Sequence, residues 1–305
     1  MIPVFMAEPY IERCCRSLFG QTLKELELIF IDDCTRDRSM EVVESVLADY
    51  PGRKSCVKIL HNEKNMGVSH TRQRGVDAAT GEYIAHCDPD DWVEPDAYEK
   101  LYAKAEQTGA DIVICDYHVT SSPEPVKVSL PVGREALFDA IVFGKFDNYL
   151  WNKILRREFI QASGIKFNPS LSLWEDQAYL VPLMLMADCV SMVHEPLYHY
   201  FSENNQSISR GKNLKKALSR IGAVADVEKF LQKRGWAEDY AFSLAYWKSE
   251  VKYDLLRFDP GKSAGLWRNT FPEVNGMILK FPMPLSHKIL CLMARLRLGF
   301  LVKAV

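Results

Sequence analysis

Two apolar patterns alternate along the first part of the chain. Short unbroken runs, Leu28-Ile-Phe-Ile31, Val57 to Leu60, Tyr83 to Cys87 and Asp111-Ile-Val-Ile-Cys115, have the length and residue types of buried strands. Ile2 to Phe5 reads as the end of a first strand. Between these runs apolar residues recur at helical spacing: Ile11, Cys14, Cys15 and Leu18 follow Pro9, which suits a helix start. Met40, Val43, Val46, Leu47 and Tyr50 follow Ser39, a residue able to cap a helix, and Pro51-Gly52 stops them. Further helices are expected from about Ser69 to Ala79, after the turn Asn65-Met-Gly67, and from Asp96 to Gln107. Strands alternating with helices predict an α/β layer with a mainly parallel sheet, whose ligands bind beyond the carboxyl ends of the strands.

The pattern then loosens. Residues 120 to 133 are rich in Ser, Pro and Val and read as a loop with an edge strand. A helix near Glu135 to Phe143, a Trp151-Asn-Lys153 segment and a helix from Trp174-Glu-Asp176 to Ala187 follow. Short strands are expected at Val190 to Val193 and Leu197 to Phe201, then helices at Leu214 to Lys233 and Ala237 to Phe258. The division predicted is an α/β domain over 1–210 and a helical region over 211–305.

The tail has its own chemistry. After Glu273 there is no acid, while Lys280, Lys288, Arg295, Arg297 and Lys303 are interleaved with Ile289, Leu290, Leu292, Met293, Leu296, Leu298, Phe300 and Leu301. Such a segment reads either as a packed terminal helix with solvated basic residues or as a helix for a partner or membrane surface. The one-sided charge favours anionic lipid.

Bulk composition changes little. A net charge of −2 gives no reason to expect nucleic acid, and 26% charged with 48% apolar residues is ordinary for a globular protein. Eight cysteines without a Cys-x-x-Cys pair, several inside apolar runs, fit reduced thiols and a cytoplasmic setting better than disulfides or zinc. Met-Ile-Pro-Val-Phe lacks the basic and apolar regions of a secretory signal, and no run of about 18 apolar residues could span a bilayer. Cytoplasmic location, with peripheral contact at the inner membrane face through the tail, is therefore expected.

Candidate chemistry collects at strand ends. Leu28 to Ile31 runs into Asp32-Asp33, and Tyr83 to Cys87 runs into Asp88-Pro-Asp-Asp91 followed by Trp92. Crowded carboxylates repel one another; they are either hard oxygen ligands for Mg²⁺ or Mn²⁺ or an acidic turn capping the helix that Pro95 opens. Glu175-Asp176 at a helix start either serves the helix dipole or supplies a base.

The ordered series of these pieces resembles the family 2 glycosyltransferases, inverting enzymes of the GT-A fold that use nucleotide sugars. The resemblance covers about residues 2 to 210 and is carried by Ile2-Pro-Val-Phe5, Glu8-Pro-Tyr-Ile-Glu-Arg-Cys14 and Ser17-Leu-Phe-Gly-Gln-Thr22. It continues through Leu28 to Asp33, Asn65-Met-Gly-Val-Ser69 with Arg72 and Gly75, Gly81-Glu-Tyr-Ile84 and Asp88-Pro-Asp-Asp-Trp92. Trp151-Asn-Lys153, Glu175-Asp176 and Ser207-Ile-Ser209 complete it. Departures fall at Met6, where the family usually has Asn, at Cys34, where Gly is common, and at Gln73, where an Asn follows the Arg.

The resemblance implies a Mn²⁺ or Mg²⁺ ion held by Asp88 and Asp90, with His199 either a further metal ligand or a structural strand residue, and Asp91 shaping the loop or touching acceptor. It places Pro3, Phe5, Asp33, Arg72 and Asp88 at the nucleotide, and gives Asp176, supported by Glu175, the role of base. Trp92 and Trp174 would stack on sugar or simply pack, and Asn152 and Lys153 belong near the acceptor. The implied activity is metal-dependent, inverting transfer from a nucleotide-diphosphate sugar, UDP-linked, to a saccharide or lipid-linked saccharide in bacterial surface polysaccharide synthesis. Two alternatives stand beside it: a catalytically silent assembly partner of a membrane-associated synthase, and a nucleotidyltransferase. The second would want a Gly-rich phosphate loop, and none is visible in Ile2 to Arg16.

Overall fold

A computed structural model describes residues 1–204, 213–258 and 260–298. The Ser207-Ile-Ser209 motif and Phe300, Leu301 and Lys303 of the tail lie outside the described residues. In chain order the elements are β1 (Ile2–Val4), α1 (Ile11–Phe19), β2 (Leu28–Asp32), α2 (Ser39–Ala48), β3 (Val57–His61), α3 (Val68–Ala78), β4 (Tyr83–Ala85), β5 (Trp92–Val93) and α4 (Ala97–Thr108). There follow β6 (Ile112–Val119), α5 (Arg134–Val142), β7 (Lys153–Arg156), α6 (Arg157–Ser163), α7 (Glu175–Met186) and β8 (Val190–Tyr200). The rest is helical: α8 (Leu214–Arg234), α9 (Ala241–Phe258), α10 (Pro260–Asn269) and α11 (Leu285–Arg295).

These elements form two compact units. One comprises Met1–Leu130, Asp147–Ser172 and Tyr179–Ser207; the other comprises Pro131–Phe146, Leu173–Ala178 and Ile208–Val305. The second therefore takes in α5 and the first residues of α7, which a 1–210 boundary counts with the α/β layer.

In the first unit β1, β2 and β3 pair in parallel. Cys87 N donates to Met1 O (3.1 Å) and Met1 N to Ala85 O (2.8 Å), so the chain at β1 also bonds to the β4 strand end. The remaining strands lie in the order β4-β7-β6-β8-β5, with β6 and β8 parallel and the other pairs antiparallel. Parallel pairing is thus confined to β1–β3 and β6–β8. The antiparallel member β7 grows out of the Trp-Asn-Lys motif; at four residues bounded by Arg156 and Arg157 it has no legible period. β8 runs unbroken where two short strands were expected, because register shifts against β6 around Asp116 absorb the residues between them.

Local detail corrects one helix start. Ser39 is the first residue of α2 rather than its cap; its hydroxyl accepts from Ala7 N (3.0 Å) and donates to Asp37 (2.5 Å). α3 packs closely at Gly75, where a Cβ would displace the side-chain ends of Met1 and Ile31.

The second unit has its own core, in which Leu255, Leu256, Trp267, Ile278, Phe281, Cys291 and Ala294 pack together. Asn213 caps α8 through Lys216 N (2.9 Å), and Gly235 (φ 70°) ends it in a left-handed turn. Lys252 is buried, its ammonium 4.2 Å from the Trp267 ring and donating to Phe271 O (3.3 Å) and Asn275 Oδ1.

Burial lowers the Lys252 ammonium from 10.5 to about 8. The unfolded chain then binds more protons between these values, so stability rises with pH across that window, and the full cost of burying the charge is present below about 8. Urea denaturation at about pH 7.5 and about pH 9.5 should show wild type gaining roughly 2 kcal/mol relative to Lys252→Met, whose stability lacks this dependence.

Candidate active site

The acidic turn begins beyond β4 and closes with Asp91 N donating to Asp88 O at 3.1 Å. Asp91 is buried and fastens the turn to β8: its Oδ2 accepts from the Tyr198 hydroxyl (2.6 Å) and its Oδ1 from Phe201 N (2.7 Å). Burial, then the charges of Asp88 and Asp90, pushes the Asp91 carboxyl well above the ordinary range; burial and the nearby Asp91 raise Tyr198 likewise. Of the two roles considered for Asp91, these contacts supply the shaping of the loop.

Asp88 and Asp90 of the same turn have different partners. Arg72, buried on α3, donates from Nη2 to Asp88 Oδ1 at 2.8 Å, joining two residues placed together by the family resemblance. Asp90 Oδ2 accepts from Asn204 (2.8 Å), and burial, followed by the Asp88 charge, raises its carboxyl. Among the described residues no cluster of three His, Cys, Asp or Glu is arranged to hold a metal. Two adjacent carboxylates under mutual repulsion nonetheless fit a Mg²⁺-like ion, which is commonly held by one or two carboxylates with substrate phosphates and water completing its shell.

His199 is placed elsewhere. It neighbours Tyr198 in β8, so its ring points to the opposite face of the strand from the Tyr198 hydroxyl that meets Asp91. There its Nε2 lies 2.7 Å from Glu94 Oε1, and the ring stacks on Trp92 (4.7 Å) and His118 (4.8 Å). The Arg13 guanidinium sits 3.6 Å from the Trp92 ring centre and donates to Asp90 O (3.0 Å). A guanidinium and an imidazole both stack on the Trp92 ring, so packing is the role its contacts fill.

The end of β2 is equally occupied. Asp33 is buried, and its carboxylate accepts from Asn62 Nδ2 (2.7 Å), Met66 N (2.7 Å) and Gly67 N (2.9 Å), holding the loop that leads into α3. Asp32 accepts from Thr35 N (2.8 Å) and meets His61 Nδ1 at 3.0 Å. Pro3 is buried within β1, and Phe5 just beyond it is 44% exposed. Met6 and Cys34, where the family favours Asn and Gly, have φ of 52° and 59°. Thr35 Oγ1 accepts from Met6 N (2.8 Å) and so ties the two left-handed turns together.

Asn152 and Lys153 are buried as well. Asn152 Nδ2 donates to Cys115 O (3.0 Å), and Lys153 Nζ donates to Tyr149 O (2.6 Å) and Asn152 Oδ1 (2.8 Å), which fixes β7 beside β6.

Glu175 and Asp176 belong to the second unit, which holds them through their neighbours. Trp174 has φ 64°; the Arg220 guanidinium covers its ring at 3.8 Å, and Trp247 lies 5.8 Å away. Ser219 Oγ accepts from Leu173 N (3.0 Å) and donates to Leu173 O (2.8 Å). Glu175 is buried, and Asp176 Oδ1 accepts from Gln177 N (2.8 Å). Sequence reasoning missed Tyr198, Asn204, Ser219 and Arg220, which lie far along the chain from the residues they hold. Arg13 was legible only as part of the Glu8 to Cys14 motif.

Comparison with known proteins follows the same lines. The model of Glycosyl transferase family 2 matches residues 1–164, more than half of the chain, and the chain belongs to that family. EpsH of Bacillus subtilis, named as a glycosyltransferase, is 31% identical over 249 residues, 79% of this chain and 70% of that one. Cholesterol galactosyltransferase of Borreliella burgdorferi is 29% identical over 252 residues, 77% of this chain and 67% of that one. Among solved structures, S. aureus TarS 1-349 in complex with UDP matches with a TM-score of 0.62 at 18% identity, over 91% of this chain and 77% of that one. Mannosyltransferase PcManGT from Pyrobaculum calidifontis, in complex with GDP-Man and Mn²⁺, matches with a TM-score of 0.55 at 13% identity, over 97% and 85%. These likenesses show the GT-A fold.

The left-handed turn after Asp33 yields a stability prediction. Cys34→Gly should raise urea stability by about 0.5–1 kcal/mol, because relief of the left-handed strain exceeds the added chain entropy. Cys34→Val should lower it, since a β-branched residue tolerates that conformation poorly.

Proposed function

We propose that the chain is a metal-dependent, inverting hexosyltransferase that moves a sugar from a UDP-linked donor to a saccharide or lipid-linked saccharide acceptor. Bacterial surface polysaccharide synthesis at the cytoplasmic face of the membrane is the proposed setting. The observation that carries the reading is the acidic turn after β4, where Asp91 is used by the fold while Asp88 faces Arg72 and Asp90 stands beside it. UDP in TarS and GDP-Man with Mn²⁺ in PcManGT support the donor class and the metal.

In this reading Asp88 and Asp90 would hold a Mn²⁺ or Mg²⁺ ion, and the ion would supply Lewis-acid stabilisation of a leaving diphosphate. Arg72 holds Asp88 and contributes positive charge at the same end of the sheet. Asp33 fixes the Met66–Gly67 loop, and Pro3 and Phe5 line the nucleotide side. Asp176 removes the proton from the acceptor hydroxyl as that oxygen attacks the anomeric carbon from the face opposite the diphosphate, with Glu175 in support. His199 is not given a metal role, because Glu94, Trp92 and His118 engage its ring.

Calorimetry should show Mn²⁺ strengthening UDP binding to wild type, and folded Asp90→Ala should lose that enhancement. Asp176→Asn should still bind UDP while kcat falls by about a hundredfold or more, the usual scale for a lost general base. Full transfer activity in both folded variants would sink the assignment, and metal-independent failure of wild type to bind any nucleotide would favour a silent assembly partner.

A further inference from the structure

The C-terminal helix of the second unit is apolar on two sides. Its inner side packs Cys291 and Ala294 into the core with Trp267 and Phe281, while His287 stacks on Tyr253 at 4.0 Å. Arg268 Nη1 donates to Ala294 O (2.8 Å), holding the last turn in place. On the other side Leu285, Ile289, Leu292 and Leu296 recur in alternating four- and three-residue steps, which aligns them in one stripe. Leu285, Ile289 and Leu296 are 72%, 43% and 65% exposed, and Leu292 is half-buried. Leu279, 67% exposed, extends the patch, because its carbonyl accepts from Lys288 Nζ (3.3 Å).

Basic residues border the stripe: Lys288 and Arg295 lie along one edge of α11 by helical spacing, Lys280 precedes the helix and Arg297 follows it, and no acid follows Glu273 in the sequence. We infer that α11 and the turn before it dock this unit on an anionic lipid surface, with Leu285, Ile289, Leu292 and Leu296 entering the headgroup boundary and the basic residues meeting phosphate. An apolar stripe with a cationic border is the physical signature of a helix lying in the interface plane. Among the described residues no helix is long and apolar enough to cross a membrane. A second copy fits the stripe less well, because pairing two such faces in a symmetric dimer would bring like-charged rims together. The helix is already folded on the core, so docking requires no ordering of this segment.

Vesicle co-sedimentation of the full chain tests this, using phosphatidylcholine with and without phosphatidylglycerol. Binding needs neither donor nor acceptor, so its outcome is independent of transfer activity. Wild type should bind the anionic vesicles and lose most of that binding in high salt. Ile289→Ser with Leu296→Ser, and separately Lys288→Glu with Arg295→Glu, should each weaken binding at least about tenfold with unchanged circular dichroism. Equal binding by wild type and both double variants, or absence of binding to anionic vesicles by wild type, would overturn the inference. So would light scattering showing a stable dimer that Leu296→Ser dissociates.

Discussion

Burying the Asp91 carboxylate beside two others is the constraint around which the β4 end is arranged. Unpartnered, such a group would be costly, and its neighbours Asp88 and Asp90 add repulsion. Tyr198 and Phe201 N meet the cost from β8, distant in sequence, so the acidic turn is set by the sheet rather than by its own few residues. One acid is thereby consumed in holding the other two at the strand end. Trp151, stacked on Tyr198 at 4.5 Å and on Tyr149 at 4.8 Å, backs this fastening with an aromatic layer.

Five described non-glycine residues lie in the left-handed region: Met6 after β1, Cys34 after β2, Trp174 before Glu175-Asp176, and Phe271 and Arg297 in the helical unit. The first three are held by contacts from their surroundings: Met6 N by Thr35 Oγ1, the turn after Asp33 by Asp32 through Thr35 N, and the Trp174 ring by Arg220. Strain of this kind persists only where neighbouring structure over-determines it.

Much of the fold could be read along the chain because strong periodicity marks elements that bury one face. Leu28 to Asp32 and the stripes of α1 and α2 are of this kind. Weak or absent period hid β5, two residues long, and β7, whose place between β4 and β6 is set by pairing alone. Of the candidate site, the nearness of Asp88 and Arg72 was implied by the family resemblance, whereas the bonds from Asp33 to the Asn65-Met-Gly loop are a tertiary finding. Asp91 stood open between two roles, since residue type cannot say which carboxylate finds Tyr198. The surroundings of His199 were hidden for a related reason: strand alternation decides its face, and its pairing with Trp92 is a tertiary fact.

Gly75 connects packing to charge. At Gly75 the side-chain ends of Met1 and Ile31 fill the space a Cβ would take, and Arg72, three residues earlier on the same helix, makes a 2.8 Å bond to Asp88. The helix that supplies a cation to the acidic turn is therefore also the one packed against the first residue of the chain, whose own carbonyl accepts from Cys87 N beside that turn. One apolar contact and one charged contact thus bring the same helix to the same strand end.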